Sequence, residues 1–227
     1  MLTVIEGLDG AGKTTQVSLL RKYFAEKNIE SYFLHFPRFD NPTFGPLIAA
    51  FLRGEFGDVH SVNPQIVALL YAGDRYCAAE SLKTMLDNNI AVILDRYVYS
   101  NIAFQCAKLA DIDERARLRE WIFNLEYNCF HTPEPDISIF LDVPFQFTSN
   151  KLKMQRKGQE REYLQGKSDI HEADLDLQHQ VREVYLEQTA LDSNFVRIDC
   201  TDNGLKMKKP EIISSEIIAA IKSRNLI

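Results

Sequence analysis

No apolar run in this sequence approaches the ~20 residues that span a bilayer, so no membrane-crossing helix is expected. The 4 cysteines, Cys77, Cys106, Cys129 and Cys200, are widely spaced and form no C-x-x-C pair, which argues against structural zinc and for reduced thiols in the core. The 5 histidines, His35, His60, His131, His171 and His179, show no metal-ligand spacing and no companion serine or cysteine pattern. Surface or hydrogen-bonded core positions are expected of them. Basic residues are outnumbered, 26 against 32 acidic, and a formal net charge of -6 gives no long-range pull toward nucleic acid polymers or anionic membranes. Repeats and low-complexity linkers are missing too. A chain of 227 residues, 45% of them hydrophobic, suits one domain, 1–227, with a substantial core. Because an apolar run follows Met1 directly, no leader segment is expected, and a reducing cytoplasm is the expected compartment.

Glycine is also scarce, 10 in all, yet three of them crowd into the stretch E-G-L-D-G-A-G-K-T-T at 6–15. Gly7, Gly12, Lys13 and Thr14 satisfy G-x-x-x-x-G-K-[ST], the phosphate-binding loop whose backbone N–H groups point inward at phosphate oxygens. Gly7, Leu8, Asp9, Gly10, Ala11, Gly12, Lys13, Thr14 and Thr15 therefore form the expected donor cradle. Lys13 supplies a point charge at the β- and γ-phosphates and Thr14 a hydroxyl for Mg²⁺, while the following helix turns its positive end toward the anion. The context fits: an apolar β-rich run precedes the loop, and Val17, Leu20 and Phe24 recur at helical spacing after it.

Strand-like runs recur at 2–6, 32–36, 91–95, 137–141 and 195–199, with amphipathic helical segments between them. This alternation predicts an α/β, three-layer P-loop fold: a five-stranded parallel sheet flanked by helices. The runs A-V-I-L-D and I-S-I-F-L-D are apolar throughout, as strands covered on both faces should be. Ligands collect outside the carboxyl ends of such strands, which is where Glu6, Asp95 and Asp142 fall. One compositional oddity remains. Residues 151–167, K-L-K-M-Q-R-K-G-Q-E-R-E-Y-L-Q-G-K, form a basic segment in an acidic protein.

A guanine-reading N-K-x-D is lacking, since Asn150-Lys151-Leu152-Lys153 has the wrong fourth residue, which disfavours a GTPase switch. A motor or transporter ATPase would normally be longer. A kinase acting on a small acceptor is the natural occupant of so compact a P-loop domain. Asp95 followed at once by Arg96 offers a magnesium-side anion and a phosphate-side cation from one turn. Tyr71 and Arg75, four apart in a helical segment, share a face on which a ring can stack and a guanidinium can read a carbonyl edge. Asn101 and Gln105 likewise share a face, close to Ser100.

Four segments in this order resemble the thymidylate kinase family, the P-loop enzymes that phosphorylate dTMP: E-G-L-D-G-A-G-K-T-T, then F-P-R at 36–38, L-L-Y-A-G-D-R-Y at 69–76 and D-R-Y-V-Y-S-N-I-A-F-Q at 95–105. The I-D-C-T-D after the last strand is similar as well, so the resemblance runs from Leu2 to about Asp202. It implies ATP as donor, dTMP as acceptor, Mg²⁺ as cofactor and commonly a homodimer, for which the apolar helix face from Ile66 to Leu70 is the candidate surface. It implies that Arg38 and Arg96 contact the acceptor phosphate, that a cis peptide joins Phe36 to Pro37, that Asp9 reaches the acceptor's 3′-hydroxyl and that Asp95 positions Mg²⁺ through water. Tyr71 stands where relatives usually have phenylalanine, and Phe104 where many have tyrosine, which puts strictness for deoxyribose in question. Gly10 leaves the P-loop without the arginine that some relatives carry there. The resemblance then implies a lid at about 151–171 whose Arg156, Lys157 or Arg161 supplies the catalytic cation. Two alternatives stay open: a deoxynucleoside kinase, and a nucleotide-binding regulatory module without turnover.

Overall fold

The computed structural model describes residues 1–144, 146–148, 159–204 and 206–227, with the side chains of 159–161 outside that description. Its centre is a five-stranded parallel sheet in the order β2-β3-β1-β4-β5, where β1 is Leu2–Glu6, β2 Ser31–His35, β3 Ala91–Asp95, β4 Ile137–Asp142 and β5 Phe195–Asp199. The apolar runs of β1, β3 and β4 become the three inner strands and are buried along their whole length. The more mixed sequences S-Y-F-L-H and F-V-R-I-D take the two edges. Burial on both faces is what selects an unbroken hydrophobic run over an alternating one.

Alternate residues of each inner strand feed different cores. Leu2, Val4, Val92, Leu94 and Phe140 face a core closed by helices α3 (Pro64–Asp87), α4 (Val98–Cys106), α5 (Ile112–Phe123) and α7 (Leu175–Leu191). Ile5, Ile93, Ile139 and Leu141 face the opposite core, closed by α1 (Lys13–Glu26) and α8 (Pro210–Lys222). A smaller cluster of Ile48, Phe51, Leu52 and Val67 lies under α2 (Gly45–Leu52). The short α6 (Ile170–Ala173) and α7 start at aspartate caps, Asp169 and Asp174, whose carboxylates accept from backbone N–H groups of the first turn. A small antiparallel ribbon, β6 (Thr201–Asp202) with β7 (Lys206–Met207), follows β5.

The expected strand positions hold to within one residue at each end. All 4 cysteines are free, but only Cys106 and Cys200 are buried; Cys77 and Cys129 are exposed, a correction to the expectation of core thiols. Cys77 follows Tyr76 on the outward face of α3, a position that helical spacing across a long, partly buried helix does not distinguish. Among the described residues, no helix is long and apolar enough to cross a membrane.

Candidate active site

The P-loop joins β1 to α1 at the carboxyl edge of the sheet. Gly7, Gly10 and Gly12 have φ of 153°, 82° and 89°, backbone that side chains rarely permit. At Gly7 a Cβ would also stand 3.3 Å from the Leu141 carbonyl oxygen. Buried Lys13 folds over the loop and donates Nζ–H to the carbonyls of Gly7 at 3.2 Å and Leu8 at 3.1 Å. Burial and the nearby Arg96 guanidinium push its ammonium pKa down, against the pull of Asp95 and Asp9.

The turn after β3 meets this loop. Arg96 adopts φ of 66°, unusual for a residue with a Cβ, and its backbone N–H bonds the Ile5 carbonyl at 3.0 Å. Its guanidinium donates to Asp9 at 2.8 Å and to the Ser100 hydroxyl at 3.1 Å, and lies over the Phe104 ring. Ser100 in turn donates to Glu6, a fully buried carboxylate that also takes the N–H groups of Tyr97 at 2.9 Å and Ser100 at 3.1 Å and the Tyr185 hydroxyl at 3.1 Å. Ser100 therefore serves to hold Arg96 as well as facing the cavity, a role that its position beside Asn101 did not suggest. Burial raises the Asp95 pKa, but Lys13, His35 and Arg96 together hold it below the usual carboxylate value. One oxygen of Asp95 lies 3.4 Å from His35 Nδ1, and the other, Oδ1, is buried without a hydrogen-bond partner among the described residues.

These groups open onto a cavity of about 960 Å³. On the P-loop side it is lined by Asp9, Gly10, Gly12, Lys13, Thr14 and Thr15. Phe36, Pro37 and Arg38 line it from the end of β2, with a cis peptide between the first two, and Tyr71 and Arg75 from α3. Asp95, Arg96, Ser100, Asn101, Phe104 and Gln105 complete the wall from β3 and α4. The side chains expected to face the acceptor are thus gathered in one space. Gly7, Leu8 and Ala11 do not line it; Leu8 and Ala11 are buried, and their part is to shape the loop. Arg156 and Lys157 lie outside the described residues, and Arg161 falls in the 3₁₀ turn Gln159–Leu164 with its side chain outside the description.

Several groups that hold this wall have no role in the sequence reading. Asp74, wholly buried, receives Arg38 and Asn41. Glu126, from the π-helical turn Asn124–Cys129 that continues α5, pairs with Arg75. Lys108 donates to Gln105 Oε1 at 2.8 Å, and burial pushes its pKa down to about 7. His171 is stacked against Phe104 and set edge-on to Phe51, with its Nε2 buried and without a hydrogen-bond partner among the described residues, and both it and His35 line the cavity. His171 is thus the core histidine that the sequence allowed, and its place in the cavity wall is what the sequence did not indicate. Burial lowers the His171 pKa, so the ring is neutral. Asp169 also lines the cavity, and burial together with the charge of Asp9 pushes it up to about 7. Its carboxylate accepts the Tyr163 hydroxyl at 3.0 Å, and the Tyr163 ring stacks on Phe39 with centroids 3.8 Å apart. Two of these carried a signal. Glu126 continues the buried period Leu118, Ile122, and a carboxylate at a core position demands a cation. Asp169 and Glu172 stand at capping-box spacing ahead of a helix.

The sequence model of the thymidylate kinase family matches residues 5–211. The chain belongs to the thymidylate kinase family. The thymidylate kinase of Mycobacterium tuberculosis is 33% identical over 191 residues, covering 84% of this chain and 86% of that one. A probable thymidylate kinase of Thermococcus kodakarensis is 32% identical over 228 residues, covering 98% of each. Among solved structures, a thymidylate kinase of Candida albicans superposes with a TM-score of 0.74 at 25% identity, over 99% of this chain and 92% of that one. The thymidylate kinase fold is therefore the one described above, and the reaction of the family is phosphoryl transfer from ATP to dTMP, within dTTP synthesis.

Proposed function

We propose that the chain makes dTDP from dTMP and ATP within this cavity. ATP phosphates rest on the P-loop, the dTMP phosphate lies between Arg38 and Arg96, and the thymine lies against Tyr71, Arg75, Asn101 and Gln105. An oxygen of the acceptor phosphate attacks the γ-phosphorus as the bond to the β–γ bridging oxygen breaks, so no covalent enzyme intermediate is needed and catalysis is positioning and charge neutralisation. Asp9 faces the sugar 3′-hydroxyl.

The observation that carries this reading is the hydrogen-bond polarity of the base end. Asn101 Nδ2 is committed to the Ala68 carbonyl at 3.0 Å, and its buried Oδ1 has no hydrogen-bond partner among the described residues. Gln105 Oε1 is committed to Lys108, and its buried Nε2 likewise has no partner among the described residues. With the Arg75 guanidinium, which also lines the cavity, these residues hold two donors and an acceptor, the set that would complement O4, N3–H and O2 of thymine. Cytosine presents a donor in place of O4 and an acceptor at N3.

Mg²⁺ fits the same site. Asp95 Oδ1, without a hydrogen-bond partner among the described residues, and the Thr14 hydroxyl are hard oxygen donors, few enough to suit an ion that keeps waters and substrate phosphates as its other ligands. Bound there, it would neutralise developing charge on the phosphates. The 151–171 segment acts as the lid, and Arg156 or Arg161 supplies the cation that Gly10 cannot. Domain 1–227 works as a homodimer through the outward face of α3, where Ile66 and Tyr76 are each 55% exposed and Leu69 40%. Its partners are small nucleotides, not nucleic acid polymers or membranes, and its place is the cytoplasm, where free thiols persist.

A deoxynucleoside kinase has no acceptor phosphate to occupy both Arg38 and Arg96, and a regulatory module has no use for them. An ADP-release assay across all nucleoside monophosphates and thymidine tests the proposal. dTMP is expected to lead, with dUMP behind by the ~1 to 3 kcal/mol that one methyl contributes in an apolar pocket. Equal or faster turnover of CMP, AMP, GMP or thymidine overturns it.

A further inference from the structure

Arg75 is only 2% exposed, and its charge is met by Glu126, which is 0% exposed. Both the Arg75 Nε, at 2.9 Å, and one terminal nitrogen donate to Glu126 Oε1, and Asn101 Nδ2 approaches the same oxygen at 3.5 Å. A single carboxylate oxygen thus touches two of the three groups proposed to face the base, while Oε2 is buried and has no hydrogen-bond partner among the described residues. Glu126 is itself fixed. Its backbone carbonyl accepts from the Thr132 N–H at 3.0 Å and from the Thr132 hydroxyl at 2.7 Å. The π-helical turn that carries it is a rare geometry, often found where a helix serves a site.

We propose that Glu126 is a positioning residue that sets the polarity of the acceptor pocket, and this rests on the reading that Arg75 contacts the base. It anchors the guanidinium fork from one side, leaving the remaining N–H groups for a neutral carbonyl, and it holds the Asn101 amide with Nδ2 toward the carboxylate. It also neutralises the Arg75 charge in a fully buried pair, so that the base end meets a neutral carbonyl rather than a phosphate. Arg38 and Arg96 are paired too, with Asp74 and Asp9, but their guanidinium groups stay partly exposed, at 20% and 11% of the side chain, and remain open to an anion.

The test is steady-state kinetics of E126Q, E126D and R75K, each with KM measured separately for dTMP and ATP. E126Q removes the charge and is expected to raise the dTMP KM at least tenfold, with the ATP KM within twofold and kcat less affected. E126D keeps the charge but draws the anchor back by one methylene. It is expected to raise the dTMP KM three- to tenfold in a protein of near-normal melting temperature, so the inference stays testable even where E126Q fails to fold. R75K keeps the ion pair but loses the fork, and it examines the base-reading role itself. A dTMP KM unchanged in R75K sinks that role. A raised KM in R75K beside an unchanged one in folded E126D sinks the positioning inference alone, as does a parallel rise in both KM values for either Glu126 variant.

Discussion

The carboxylate of Asp74 takes both the backbone N–H of Arg38, at 2.7 Å, and its Nε, at 3.0 Å, while the Asp74 carbonyl takes a terminal nitrogen of the same guanidinium at 2.6 Å. Asp74, next to Arg75 on α3, therefore holds in place Arg38 of a different element, the arginine proposed to meet the acceptor phosphate. Asp74→Ala leaves Arg38 unpaired beside a buried wall and is expected to cost up to about 3 kcal/mol of stability, visible in urea unfolding. Asp74→Asn still accepts from the backbone N–H. It is expected to recover most of that stability yet keep a dTMP KM raised about tenfold. Wild-type KM in Asp74→Asn would show that hydrogen bonding alone aims Arg38.

Arg96→Ala removes the cation that joins Asp9 to Ser100 and is proposed to hold the acceptor phosphate. kcat/KM for dTMP is expected to fall by about 10²- to 10³-fold, while ATP affinity, measured by equilibrium binding, changes little. A proportional collapse of ATP binding would assign Arg96 to the donor site.

The proposed lid arginines separate from the proposed phosphate arginines by kinetics. If Arg156 or Arg161 meets the charge that develops between donor and acceptor, its replacement by alanine slows single-turnover transfer at saturating ATP and dTMP by up to ~10³-fold, or about 4 kcal/mol of barrier. Parental rates in both single variants and the double variant would leave that cation to be found elsewhere.

Phe104 is stacked on His171 at 4.8 Å between centroids. Phe104→Tyr adds a hydroxyl to this stack, proposed to lie beside the sugar. The ratio of dTMP to ribothymidine monophosphate turnover is expected to widen about tenfold. An unchanged ratio would remove this stack from sugar selection.

Asp169 has its folded-state pKa pushed up to about 7 from an ordinary 3.8, so between those values the folded chain binds a proton that the unfolded chain has lost. The stability it contributes is fully present below pH 3.8 and is lost as pH rises through about 7. Thermal melts from pH 4.5 to 8 should therefore decline more steeply for the parent than for Asp169→Asn, by an amount bounded at about 4 kcal/mol. Parallel profiles would show that Asp169 ionises normally.

Much of this molecule is determined locally. The unbroken apolar runs of β1, β3 and β4 announce strands buried on both faces, and the glycine spacing before Lys13 announces a phosphate loop, because backbone sterics admit little else at φ of 153° and 89°. Helical spacing likewise puts Tyr71 with Arg75 and Asn101 with Gln105. What spacing reports is the face a residue takes, and the partner it finds there depends on how distant elements dock. Arg38 meets Asp74 across 36 residues and Arg75 meets Glu126 across 51, so neither pair is visible from its neighbours in the chain. The burial that makes Asp169, Lys108 and His171 depart from their ordinary ionisation is likewise a property of the closed wall. Tertiary structure decided which charges are paired and which buried amide atoms are left without a partner among the described residues, because both depend on how distant elements dock.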